Sequence, residues 1–99
     1  MMSDEKRAYL LAYDVCNDKR RAHIAKYLQS YGERIQYSLF YFEIRPARLL
    51  QIRKRVESEM DCREDSVLVV NLGRVEQADD AMEFVGRRSL RDVEIPTVI

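Results

Sequence analysis

The sequence predicts an α+β domain in which an antiparallel sheet carries two helices on one face, its elements running β-α-β-β-α-β. Three observations carry that expectation: an apolar run at residues 9–15, two stretches with apolar residues at helical spacing that begin near positions 18 and 46, and two segments dense in aromatic and β-branched residues at 34–45 and 66–72. Ninety-nine residues suit one domain, because an independent core usually takes roughly 100 to 200 residues. Residues 1–99 are therefore read as a single domain, with 75–99 as a C-terminal extension.

Tyr9-Leu10-Leu11-Ala12-Tyr13 is apolar on both alternating sets, which suits a central strand, and Asp14 interrupts the run near its end. Asn17 or Asp18 can cap the helix that follows, where Ala22, Ile24, Ala25, Leu28 and Tyr31 recur at helical spacing until Gly32 supplies a stop. The segment RIQYSLFYFEIR is long enough for a hairpin around Tyr37 and Ser38, although no Asn-Gly or Asp-Gly marks the turn. Pro46 suits the first turn of a second helix, where a missing N–H costs nothing, and Leu49, Ile52, Val56 and Met60 form its apolar stripe as far as about Asp61. Ser66 to Leu72, bounded by Glu64-Asp65 and Gly73, reads as another buried strand. Beyond Gly73 the pattern weakens to a short strand at Ala81 to Val85 and an extended tail at Glu94 to Ile99, which Pro96 confines to a sheet edge. The order is that of the split βαβ, or ferredoxin-like, sandwich with an extra C-terminal strand or tail. It leaves one sheet face bearing Leu, Tyr and Phe uncovered, and packing that face against a second copy makes a homodimer.

Composition narrows the class. No window approaches the roughly 18 apolar residues of a membrane span, so the expectation is a soluble cytoplasmic protein with no membrane partner. Two cysteines, Cys16 and Cys62, without C-x-x-C spacing indicate neither a disulfide framework nor zinc. The net charge of zero hides an asymmetry: residues 1–63 hold 13 Lys and Arg against 9 Asp and Glu, and residues 64–99 hold 4 against 8. The basic part can face phosphates, or its charges can be ordinary solvated helix faces.

Four stretches, in order and over roughly two thirds of the chain, resemble the Cas-two family of small CRISPR-associated proteins that partner the spacer integrase. They are Tyr13-Asp14-Val15, Asp18-Lys19-Arg20-Arg21, the run from Gly32 through Arg34, Tyr37 and Ser38 to Phe40, and Asp65-Ser66-Val67. The acidic residue that closely follows the phenylalanine in many relatives stands two positions later here, at Glu43. The resemblance implies a ferredoxin-like homodimer in the complex that captures and inserts new CRISPR spacers, an antiviral defence. It further implies an integrase partner, double-stranded DNA and RNA as ligands, a final strand that crosses to the partner protomer, and metal-dependent endonuclease activity.

The residues offer their own chemistry. Asp14 is the leading catalytic and metal-binding candidate: a hard ion such as Mg2+ or Mn2+ takes carboxylate oxygens and keeps several waters, and a two-fold axis beside strand one would bring two copies of Asp14 to one ion between the protomers. The competing reading has Asp14 merely ending the strand. His23 is the sole histidine and has no acidic partner at i+3 or i+4, which argues against a histidine general base, and neither serine nor cysteine shows an activating partner, so water would be the nucleophile. Lys19, Arg20, Arg21, Lys26 and Arg34 are the nucleic-acid-binding candidates, with Arg45, Arg48, Arg53, Lys54 and Arg55 as a second basic group on helix two. Tyr13, Tyr37, Ser38 and Phe40 take structural or dimer-contact roles, since no RNA-recognition aromatic signature is present. Two alternatives stand beside the adaptation protein: a stand-alone, toxin-like metal-dependent ribonuclease, and a regulatory module without nucleic acid, against which the scarcity of glycine-rich turns argues.

Overall fold

The computed structural model describes residues 5–86. The elements are β1 (Arg7–Asp14), α1 (Asp18–Leu28), β2 (Glu33–Gln36), β3 (Leu39–Ile44), α2 (Pro46–Glu59) and β4 (Ser66–Arg74), then a 3-10 turn (Val75–Gln77) and a short helix, α3 (Ala78–Ala81). The sheet order is β2-β3-β1-β4 with every neighbouring pair antiparallel, so the predicted β-α-β-β-α-β arrangement is the one observed.

Alternation along β1 sends Tyr9, Leu11 and Tyr13 to the helical side, where they pack with Ile24 and Leu28 of α1, Phe40, Phe42 and Ile44 of β3, and Ile52 and Val56 of α2. Phe40 and Phe42 are fully buried, and burial of side chains this size contributes about 2–3 kcal/mol each. Asn17 rather than Asp18 is the N-cap of α1: its side-chain oxygen accepts the amides of Lys19 and Arg20 at 2.9 and 3.0 Å. Pro46 opens α2 as predicted.

Several expectations are corrected. Ala22 is exposed, because the apolar stripe of α1 is narrower than its spacing suggested. The helix ends at Leu28, whose carbonyl accepts the amides of both Tyr31 and Gly32. Gly32 is not a left-handed stop; a Cβ there would lie 2.5 Å from the Phe42 ring and 2.6 Å from the Tyr41 carbonyl, so close approach to β3 demands glycine. Neither Tyr37 nor Ser38 has a positive φ, consistent with the missing Asn-Gly, and the β2–β3 pairing shifts register between Arg34 and Gln36. Gly73 does not stop β4 but sits inside it with φ +91, where the pairing jumps from Tyr9–Asn71 to Ala8–Gly73, and the Asn71 side chain accepts the Gly73 amide at 2.8 Å. The strand expected from Ala81 is absent, since Ala81 ends α3 and residues 82–85 form no strand.

The second sheet face is half covered. Ala78 is fully buried there, and Met82 and Phe84 pack with Ala8, Leu10, Ile35, Leu39, Tyr41 and Leu72. Toward the other end, Ala12 pairs with Leu68 and Asp14 with Ser66, and Leu68 is 60% exposed. The tail from residue 87, including the predicted stretch Glu94 to Ile99, lies outside the described residues. Among the described residues no helix is long and apolar enough to cross a membrane.

Candidate nucleic-acid interface

Asp14 closes β1 on the face away from the helices and is exposed, as its position after the alternating apolar residues requires. Its backbone neighbours are tied on all sides. The Tyr13 amide donates to the Ser38 carbonyl at 3.0 Å, Arg21 Nη1 donates to the Val15 carbonyl at 2.9 Å, and the Cys16 amide donates to Asp65 Oδ1 at 3.0 Å. An exposed carboxylate thus stands on a strand end whose course is fixed from three directions.

Asp65 is the centre of that arrangement, and its side chain is wholly buried. Besides Cys16 it accepts the Asp61 amide at 2.8 Å, Arg20 Nε at 2.9 Å and Arg20 Nη2 at 3.2 Å. The Arg20 fork first, then the amides of Asp61 and Cys16, hold its carboxyl down at about 2, against a desolvation that pushes it up. Arg20 also bridges Glu64 at 3.1 Å. Arg20, expected at phosphate, has its Nε and Nη2 engaged by the chain's own acids and joins α1 to the loop between α2 and β4. The sequence signals for Asp65 were its place before the late strand and its part in the Asp65-Ser66-Val67 stretch; that it receives Arg20 depends on a loop closure across 45 residues.

Arg21, the next residue, faces a cleft between α1 and the β2–β3 hairpin. Tyr13, Asp18, Arg21, Arg34 and Tyr37 line it. Arg21 Nη2 pairs with Asp18, and the Arg34 guanidinium lies 5.4 Å over the Phe40 ring. The Arg34 Nε–H is buried and, among the described residues, donates to no partner; an N–H so placed costs about 1–3 kcal/mol. Lys19 and Lys26 are exposed on α1.

Tyr13 and Phe40 stack at 6.2 Å inside the helical core, at 5% and 0% exposure. Tyr37 is 74% exposed at the turn, and Ser38 contributes its carbonyl to the Tyr13 amide. Glu43 accepts the Tyr41 hydroxyl at 2.9 Å. Part of the second basic group is engaged at the helix seam, where Arg48 lies over Tyr31 and Arg55 over Tyr27, and Arg55 also pairs with Glu59 at 3.0 Å. His23 is exposed and lies 3.6 Å from Glu59 on the neighbouring helix, a partner that local spacing did not reveal. Cys16 and Cys62 are free thiols.

Among the described residues one chain brings together no group of three or more His, Cys, Asp or Glu that could hold a metal. Asp14 by itself offers one hard oxygen donor of the kind that magnesium or manganese takes.

The chain is similar to known proteins over most of its length. The chain is 33% identical over 85 residues to the CRISPR-associated endoribonuclease Cas2 1 of Rhodospirillum rubrum, covering 86% of this chain and 83% of that one. A crystal structure of Streptococcus pyogenes Cas2 superposes with a TM-score of 0.69 at 32% identity, covering 80% of this chain and 99% of that one. A chain of a partial Cas6-RT-Cas1–Cas2 complex gives a TM-score of 0.67 at 25% identity, covering 80% and 90%. The family model for the CRISPR associated protein Cas2 matches residues 7–79, which run from the first residue of β1 into α3, and the chain belongs to that family.

Proposed function

We propose that this chain acts in CRISPR adaptation as a homodimer that holds the backbone of double-stranded DNA beside an integrase subunit, in the cytoplasm. The observation that carries the reading is the gathering, at one end of the molecule, of exposed Asp14, exposed Lys19 and the cleft of Arg21 and Arg34. The cations suit phosphate oxygens without reading sequence. The uncovered half of the sheet face, with Leu68 at its surface, suits a two-fold contact with a second copy. The Cas1–Cas2 complex containing a similar chain supports the integrase as partner. Leu68→Asp tests the dimer: sedimentation should show wild type as a dimer and the variant shifted to monomer, and an unaltered dimer would place the contact elsewhere.

Cleavage is the second reading, supported by the endoribonuclease name of the Rhodospirillum relative, with RNA as well as DNA as substrate. Asp14 and its symmetry mate would hold Mg2+ or Mn2+, which when bound lowers the pKa of a coordinated water and polarises a phosphodiester. The chain's own part is to present Asp14 on a fixed strand end. Asp14→Asn should abolish metal-dependent cleavage while leaving the dimer and duplex affinity within about twofold of wild type. Unchanged cleavage by the purified variant would remove Asp14 from the chemistry.

A further inference from the structure

We propose that the cleft between α1 and the β2–β3 hairpin seats a single phosphodiester group, and that Asp18 occupies the place of that phosphate when no nucleic acid is bound. The inference rests on the backbone-binding reading above and adds to it a defined position and a built-in competitor.

The cleft holds two guanidiniums in different states of satisfaction. Arg21 is anchored by Nη1, which donates to the Val15 carbonyl at 2.9 Å, leaving Nη2 directed at Asp18. Arg34 is held by the Phe40 ring beneath it, 5.4 Å from the guanidinium carbon, yet a ring face satisfies the cation's charge without accepting its buried Nε–H. A buried donor without an acceptor calls for a missing one. A phosphodiester presents two anionic oxygens and accepts from several donors at once, so it can serve Arg21 and Arg34 together where, among the described residues, the Asp18 carboxylate pairs with Arg21. Tyr37 also lines the cleft, and its hydroxyl, hydrogen-bonded with Arg21, keeps a proton it can donate.

Asp18 is well suited to give way. Its side chain is 91% exposed, and an ion pair between exposed groups is weak. It also lies in the first turn of α1, where a negative charge favours the helix. Its removal therefore has two effects of opposite sign: the fold loses a favourable charge, and the cleft loses a competitor for phosphate. A purely structural role predicts only the loss.

The test uses the full chain, a duplex and inorganic phosphate. Asp18→Asn should raise duplex affinity by about two- to fivefold, the range of one exposed ion pair, while the thermal midpoint stays level or falls. Arg34→Gln should weaken binding and cancel the gain when combined with Asp18→Asn. A gain that persists in the Arg34→Gln background would be general charge removal and would overturn the seat, as would no gain at all. In parallel, the Arg34 Nε–H resonance is followed as inorganic phosphate is added. It should move in wild type and stay still in Arg21→Ala. A wild type that fails to bind duplex refutes the backbone-binding reading, and the resonance then decides the seat separately: movement sustains it, and stillness at millimolar phosphate removes it.

Discussion

Arg20 and Arg21 are neighbours on the first turn of α1 and meet opposite surroundings. Arg20 turns toward the loop between α2 and β4, where Asp65 and Glu64 take its Nε and Nη2. Arg21 turns toward the hairpin, where an exposed carboxylate and a second, under-satisfied guanidinium share an open cleft. The first region is closed, with a wholly buried acid receiving donors from two other chain segments. The second is open and holds a donor that, among the described residues, has no acceptor. One side of the helix thus fixes the strand end that carries Asp14, and the other keeps cationic capacity available to a ligand.

The largest expected effect comes from breaking the closed region. Asp65→Ala removes the acceptor for Arg20 and for the Cys16 and Asp61 amides together, and should lower the thermal midpoint by roughly 10 °C or more. Hydrogen exchange at the Cys16 amide should quicken in the same variant. A midpoint within about 2 °C of wild type would show that the buried fork does not hold the loop.

A smaller effect is expected in acid. Asp65 carries a carboxyl held at about 2 in the folded chain against an ordinary value of 3.8, so its contribution to stability is fully present above about 3.8 and is lost as pH falls through about 2. Wild type should therefore lose stability over that window, and Asp65→Asn should show a flatter acid limb. Equal limbs would contradict the depressed carboxyl.

The difference between the two regions also explains what the residues disclosed in advance. Periodicity located both helices and the four strands because Tyr9, Leu11, Ile24, Leu28, Ile52 and Val56 each bury against a neighbouring element. Asp14 was legible as a polar residue breaking an apolar run, and Arg21 and Arg34 as basic residues in family motifs. What separates Arg20 from Arg21 was not legible, since one residue of helix rotation sends them to different sides and the acids that receive Arg20 lie 44 and 45 residues away. Gly73 was misread as a stop because a glycine inside a strand signals a bulge only once its partner strand is known. The cover over half the second face escaped detection because Ala78, Met82 and Phe84 are spaced too sparsely to mark a regular element.

The most direct test of the central claim, that this chain binds nucleic-acid backbone through the Arg21 side of α1, is duplex affinity measured across salt concentrations for wild type, Arg20→Ala and Arg21→Ala. Wild type should lose affinity linearly on logarithmic axes and equally for unrelated sequences; Arg21→Ala should flatten the slope by about 0.9, the signature of one lost phosphate contact, while Arg20→Ala keeps the wild-type slope. Salt-insensitive binding, or a slope flattened as much by Arg20→Ala as by Arg21→Ala, would contradict it.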